Sequence, residues 1–112
     1  MMKTDSLLSL LEAELLQAEQ EAEEITGAYT SDLLSDVMAN AKTGDALVTI
    51  QAHKNTVAVA TLVNSPLIVV CNKRPVQDDM LEAAREEGIA IVRTAFNQYE
   101  VSGRLWRAFN PA

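Results

Sequence analysis

A chain of 112 residues, 48% of them apolar, has the size and composition of one folded unit, residues 1–112, with a single core. Its net charge of −7 argues against a nucleic-acid role, because phosphate binding needs a concentrated basic surface. No apolar stretch approaches the roughly 20 residues that cross a bilayer, and the first residues lack the basic, apolar, small-residue order of a secretory signal.

The charge is unevenly spread. Residues 1–24 carry seven acids against Lys3, a net of −6, and this cluster reads as a solvated face rather than a binding site. Leu7, Leu11 and Leu15 recur every four residues among helix-favouring Glu, Ala, Gln and Leu, so pattern alone predicts one long helix running to Gly27. "TSDLLSDVMANAKTG" (30–44) opens with cap residues and closes at Gly44. Its Leu33, Leu34, Val37, Met38 and Ala41 share a face, which predicts a helix. "ALVTI" (46–50), "PLIVVC" (66–71) and "IAIVR" (89–93) are short, β-branched and almost continuously apolar, as strands buried on both faces are. Between them, "TVAVATLV" (56–63) and "VQDDMLEAAREEG" (76–88) predict helices. The second has Pro75 ahead of it, Asp78 and Asp79 near its start, Gly88 as its stop, and Val76, Met80, Leu81 and Ala84 on one face. A last helix fits "NQYEVSGRLWRAF" (97–109), where Val101, Leu105 and Phe109 form a stripe, Trp106 widens it and Gly103 weakens the helix slightly. Strands alternating with helices predict an α/β fold, a largely parallel sheet with right-handed crossovers and flanking helices.

The stretch "ITGAYTSDLLSDVMANAKTGDALVTIQAHKNTVAVA" (25–60) resembles the DRTGG domain family, most closely its short stand-alone members associated with iron-only hydrogenase systems. "YTSDLLSDVM" (29–38) and "TIQAHKNTVAVA" (49–60) carry the likeness, which runs from about residue 5 to 109. That family is similar to the N-terminal domain of the HPr kinase/phosphorylase, and occurs as a regulatory insert in phosphotransacetylases and in pyrophosphatases that carry CBS domains. The resemblance implies a compact α/β domain that senses, docks or dimerises. It also implies a different N-terminus: helix over 4–12, strand over "ELLQA" (14–18), a turn over "EQEAEE" (19–24) and a second strand around 25–29. One departure stands out. The family's Asp-Arg-Thr-Gly-Gly signature falls near residues 52–56, where this chain has "AHKNT", so a role that depends on that signature's Asp or Gly does not carry over.

In a parallel α/β sheet, ligands collect at the carboxyl ends of the strands, especially where strand order reverses. Those ends are Thr30, Ser31 and Asp32; Gln51, His53, Lys54 and Asn55; Asn72, Lys73 and Arg74; and Thr94 and Asn97. Basic and hydrogen-bonding side chains thus gather on one edge of an acidic molecule, each turn preceding a helix whose free N–H groups favour an anion. A phosphorylated ligand, a carboxylate or a nucleotide fits such a rim, although the loops lack a Gly-rich phosphate cradle. Plain capping is the competing reading, with Asn55 or Ser31 closing the next helix.

His53 as a general base would need a carboxylate, and Asp32 is the candidate by topology; a structural hydrogen bond is the simpler role for a loop histidine. His53 and the lone Cys71 lack paired-ligand spacing, so no metal and no cofactor are expected, and one cysteine cannot hold an iron–sulfur cluster. Cys71 excludes an internal disulfide, suits a cytoplasmic protein, and reads as a buried small hydrophobe. Trp106 between Arg104 and Arg107 fits either the core or an oligomer surface, and a homodimer is expected. Two functions follow. One is a non-catalytic regulatory or interaction domain that binds a small anion, a nucleotide or a protein partner of a hydrogenase or redox system. The other is a small transferase or hydrolase centred on His53, Lys54 and Asp32.

Overall fold

The apolar runs at 46–50, 66–71 and 89–93 are strands, and they lie side by side in a computed structural model that describes residues 2–21 and 23–111. In chain order the elements are α1 (Thr4–Leu11), β1 (Glu14–Gln17), β2 (Gly27–Thr30), α2 (Leu34–Asn40), β3 (Asp45–Thr49), α3 (Lys54–Leu62), β4 (Leu67–Val70), α4 (Asp78–Glu87), β5 (Ala90–Arg93) and α5 (Gln98–Phe109). The sheet order is β1-β5-β4-β3-β2. Strands β2 to β5 are parallel and β1 runs antiparallel to β5.

Alternation along each strand sends neighbouring side chains to opposite faces. Ala46, Val48, Leu67, Val69, Ala90 and Val92 meet Leu7 and Leu11 of α1 and Val101 and Leu105 of α5. Leu47, Ile68, Val70 and Ile91 meet Val37 of α2, Val57 and Ala60 of α3, and Met80 and Ala84 of α4. The sheet is therefore covered on both sides, which is why its inner strands β3, β4 and β5 are apolar except at their ends, Asp45, Thr49 and Arg93. Parallel strands follow one another in chain order across the sheet, so the three helices joining them share one face. Strand order does not reverse among them, and no switch-point crevice opens.

The long N-terminal helix predicted from propensity does not form. Glu12 takes the left-handed conformation (φ 49°, ψ 44°) and its N–H returns to the Leu8 and Ser9 carbonyls, ending α1. Glu14 then pairs with Arg93 across β1 and β5, with carboxylate–guanidinium contacts of 3.2 and 3.3 Å. Burial of Leu7 and Leu11 on the sheet, together with strand pairing, outweighs the small helix preference of residues 13–18. The helix-then-strand order implied by the family resemblance is the observed one. Of the turn expected over 19–24, Ala22 lies outside the described residues.

Two other expectations are corrected. The helix expected over 30–44 is α2 alone: Thr30 ends β2, residues 31–33 form a turn, and Gly44 (φ 91°) sits in the turn ahead of β3. With so short a helix, Leu33 and Met38 stay 64% and 49% exposed and only Val37 is fully buried. Trp106 does not widen the buried stripe of α5; it is 70% exposed and turns toward the β2 edge.

Candidate functional site

Parallel pairing of β2 through β5 brings the turns at 31–33, 50–53, 71–77 and 94–97 out along one border of the sheet. Ser31, Asp32, Gln51, His53, Asn72, Lys73 and Arg74 all lie on it, with Lys54 and Asn55 in the first turn of α3. Local hydrogen bonding divides them into residues that build the border and residues that leave it open.

Asp32 belongs to the first group. Its Oδ1 accepts from Thr49 Oγ1 at 2.8 Å, from the Ile50 N–H at 2.9 Å and from Gln98 Nε2 at 3.1 Å, tying β2, β3 and α5 together. A carboxylate with three donors on one oxygen is a strut, and no hydrogen bond joins it to His53 among the described residues. Ser31 donates its N–H to the Val48 carbonyl at 3.1 Å, and its Oγ accepts from the Leu33 N–H at 3.2 Å. It thus closes the turn before α2 instead of capping the helix itself, since Leu33 holds the N-cap position. Gln51 joins the same framework through its main chain, donating to Thr49 Oγ1 at 3.0 Å and accepting from Thr56 Oγ1 at 2.8 Å.

Asn72 and Lys73 are held just as firmly. Both take left-handed conformations (φ 59° and 49°), and their N–H groups donate to the Phe96 and Thr94 carbonyls at 2.9 and 2.8 Å. Thr94 anchors that loop in turn, donating through Oγ1 to the Leu11 carbonyl at 2.7 Å. Asn97 is a cap: its Oδ1 accepts from the Glu100 N–H at 2.9 Å. Asn55 is not. His53 occupies the N-cap position of α3, without a side-chain cap bond, and Asn55 lies exposed as the second residue of the helix.

What stays open is smaller than the whole rim. His53 and Arg74, with Ile50, Ala52, Pro75 and Gln77, line a cavity of about 240 Å³ between the starts of α3 and α4. Neither helix has a side-chain cap bond at its start. The first turn of α4 carries Asp78 and Asp79, which already complement its dipole and repel a second anion. The first turn of α3 carries no acid and begins with Lys54, so the field there favours a negative ligand. Of the rim residues expected from sequence, only His53 and Arg74 line the cavity, while Lys54, Asn55, Asn72 and Lys73 are exposed on the same border.

Cys71 lies fully buried where β4 leaves the sheet. Burial, reinforced by the negative charge of Asp32, pushes its thiol up to about 12, so it carries no thiolate at neutral pH. On the far side of β2, the Tyr29 hydroxyl donates to Asp36 Oδ2 at 2.8 Å, which lowers the Asp36 carboxyl and raises the Tyr29 phenol. No three His, Cys, Asp or Glu side chains converge to hold a metal ion among the described residues. Sequence reasoning missed Gln98, whose amide completes the Asp32 strut, and Gln77 and Pro75, which line the cavity. Nothing in the local sequence marks them, because their roles arise only from strand order.

No protein-family model and no curated protein matches the chain. Among solved structures it is similar to the crystal structure of the CBS and DRTGG domains of the regulatory region of Clostridium perfringens pyrophosphatase, complexed with the activator diadenosine tetraphosphate. The TM-score is 0.74 at 15% sequence identity, and the match covers 91% of this chain and 45% of that one. This chain therefore spans less than half the length of its structural neighbour. At that identity the likeness speaks for the fold, and the fold it supports is DRTGG-like, an α/β arrangement with a mostly parallel five-stranded sheet.

Proposed function

We propose that this chain is a regulatory domain that senses a small anionic ligand, a nucleotide or phosphorylated metabolite, at the carboxyl border of its sheet. The observation that carries the reading is the His53–Arg74 cavity at the acid-free start of α3, on a molecule whose net charge is −7. Guanidinium and helix N–H groups suit phosphate oxygens, and the apolar Ile50, Ala52 and Pro75 offer surface to the rest of a ligand. The structural neighbour supports the same class, since it is a regulatory region with a nucleotide activator bound. Lys54 and Lys73 extend the positive field beside the cavity, while Ser31, Asp32, Gln51, Asn55 and Asn72 lie along the same border of the sheet. The domain works as a homodimer in the cytoplasm, and a protein partner in a hydrogenase or redox system follows from the family resemblance of residues 25–60. A transferase or hydrolase built on His53, Lys54 and Asp32 is the weaker reading, because Asp32 is engaged by Thr49, Ile50 and Gln98.

Thermal unfolding against a panel of nucleotides and phosphorylated metabolites tests the proposal. A ligand at a hundredfold excess over its Kd adds about 2.7 kcal/mol, which moves the midpoint by several degrees and grows with concentration. Arg74→Ala and Lys54→Ala should each reduce that shift. A shift that both variants leave intact would place the ligand elsewhere, and turnover of a substrate abolished by His53→Ala would put the enzyme reading first.

A further inference from the structure

The two edges of the sheet are not alike. Outer strand β1 is defended: Glu14 is held by Arg93, and the register shifts between Leu15 and Gln17. Outer strand β2, Gly27-Ala28-Tyr29-Thr30, has no charge, no proline and no bulge in its pairing with β3. One side of β2 therefore presents main-chain N–H and C=O groups without a strand partner among the described residues. Unguarded edges of this kind pair with another strand.

Helix α5 lies along that edge and turns an uncharged stripe outward. Tyr99 is 89% exposed and Trp106 70% exposed, and with Ala28, Thr30, Ser102 and Gly103 they line a groove of about 410 Å³. No charged side chain lines it. Gly103 is the telling position. A glycine inside a helix costs about 1 kcal/mol relative to alanine, yet a Cβ built on Gly103 meets nothing within 4 Å. The fold itself does not require glycine there, whereas close approach of a second backbone would.

We infer that the β2 edge and the Tyr99–Gly103–Trp106 face of α5 form the interface with a second copy of this chain, related by a two-fold axis close to Gly103. This deepens the homodimer proposed above and rests on that part of it. Charge selects the occupant. Two copies of net charge −7 repel over much of their surface, whereas no charged side chain lines this groove. The helix is also electrically self-complementary about its glycine. Glu100 lies three residues before Gly103 and Arg107 four residues after it, so antiparallel α5 helices bring Arg107 of one copy toward Glu100 of the other. Arg107 has no carboxylate partner within its own chain among the described residues. The same symmetry sets each Trp106 beside the other copy's Tyr99, the aromatic contact that dominates small interfaces, and lays the two β2 edges alongside each other.

Sedimentation velocity of the whole chain, from about 1 to about 100 μM, resolves a micromolar association. The native chain is expected at twice its 12.2-kDa mass. Gly103→Glu fills open space with a better helix former, so circular dichroism and the thermal midpoint should hold at concentrations too low for the dimer, while dimer affinity falls roughly tenfold or more. Trp106→Ala should weaken it comparably, and Arg107→Glu should weaken it unless Glu100→Arg is added. A dimer that survives Gly103→Glu and Trp106→Ala overturns the interface and leaves dimerisation standing. A native chain that stays monomeric throughout overturns both. Ligand-induced thermal shifts measured on the same samples report on the rim, so a failed rim reading is distinguishable from either result.

Discussion

At the scale of single residues, the border of the sheet depends on Asp32 more than on any group that faces solvent. Asp32→Ala removes the acceptor of three donors, one of them the Ile50 main chain, and should destabilise the fold by about 2 kcal/mol in urea unfolding. Asp32→Asn keeps an oxygen in place and should cost roughly half as much. Equal losses for the two variants would mean that the charge, not the hydrogen bonding, matters. Cys71 makes a prediction of a different kind. Its thiol ionises at an ordinary 9.0 in the unfolded chain but only at about 12 when folded. The folded state thus holds the proton longer, and the stabilising contribution, complete below pH 9.0, is lost as pH rises toward 12. The folded protein should resist thiol reagents at pH 8 and react once denatured. Rapid labelling of native protein would show that the residue is not shielded.

At the scale of elements, α1 is a short helix held by what it touches. Leu7 and Leu11 are wholly buried against the sheet, and Arg104 Nη1 of α5 donates to the Leu10 carbonyl at 3.1 Å. Leu11→Ala should therefore cost about 3 kcal/mol by denaturant titration, as a full core residue does. A cost below about 1 kcal/mol would mean that α1 is an appendage. The strands and helices from residue 45 onward were legible because burial on both faces erases polar residues from strands, while Gly88 (φ 70°) stops α4 in the left-handed conformation that glycine favours. The end of α1 was not legible from pattern, since Glu12 makes the left-handed turn that glycine would have announced. Trp106 misled for a related reason: it neighbours Leu105 in sequence, but one step around the helix carries it from the core to the sheet edge. For the site, strand ends can be placed on one border from sequence, but sequence cannot separate Asp32 and Asn72, bound up in the framework, from His53 and Arg74, which line the cavity.

At the scale of the whole molecule, charge is concentrated where the chain begins. Lys3 pairs with Glu24 at 3.4 Å, and Glu12, Glu14, Glu21 and Glu23 are exposed along the same segment of chain. Mutual repulsion there should be relieved by salt, whose Debye length at physiological ionic strength is about 8 Å. Raising ionic strength to that level should stabilise the fold by a few tenths of a kcal/mol, and Glu21→Lys should reduce the gain. A thermal midpoint that falls with salt would show instead that pairs such as Glu14–Arg93 dominate.

The pairing of β1 with β5 also has a kinetic side. Strands β2 to β5 each meet a neighbour one helix away, whereas Glu14 waits for Arg93, 79 positions downstream. A nascent chain would thus leave the ribosome with β1 unpaired until β5 is made. Refolding kinetics should register this ordering, with Val48→Ala slowing folding and Leu15→Ala chiefly hastening unfolding.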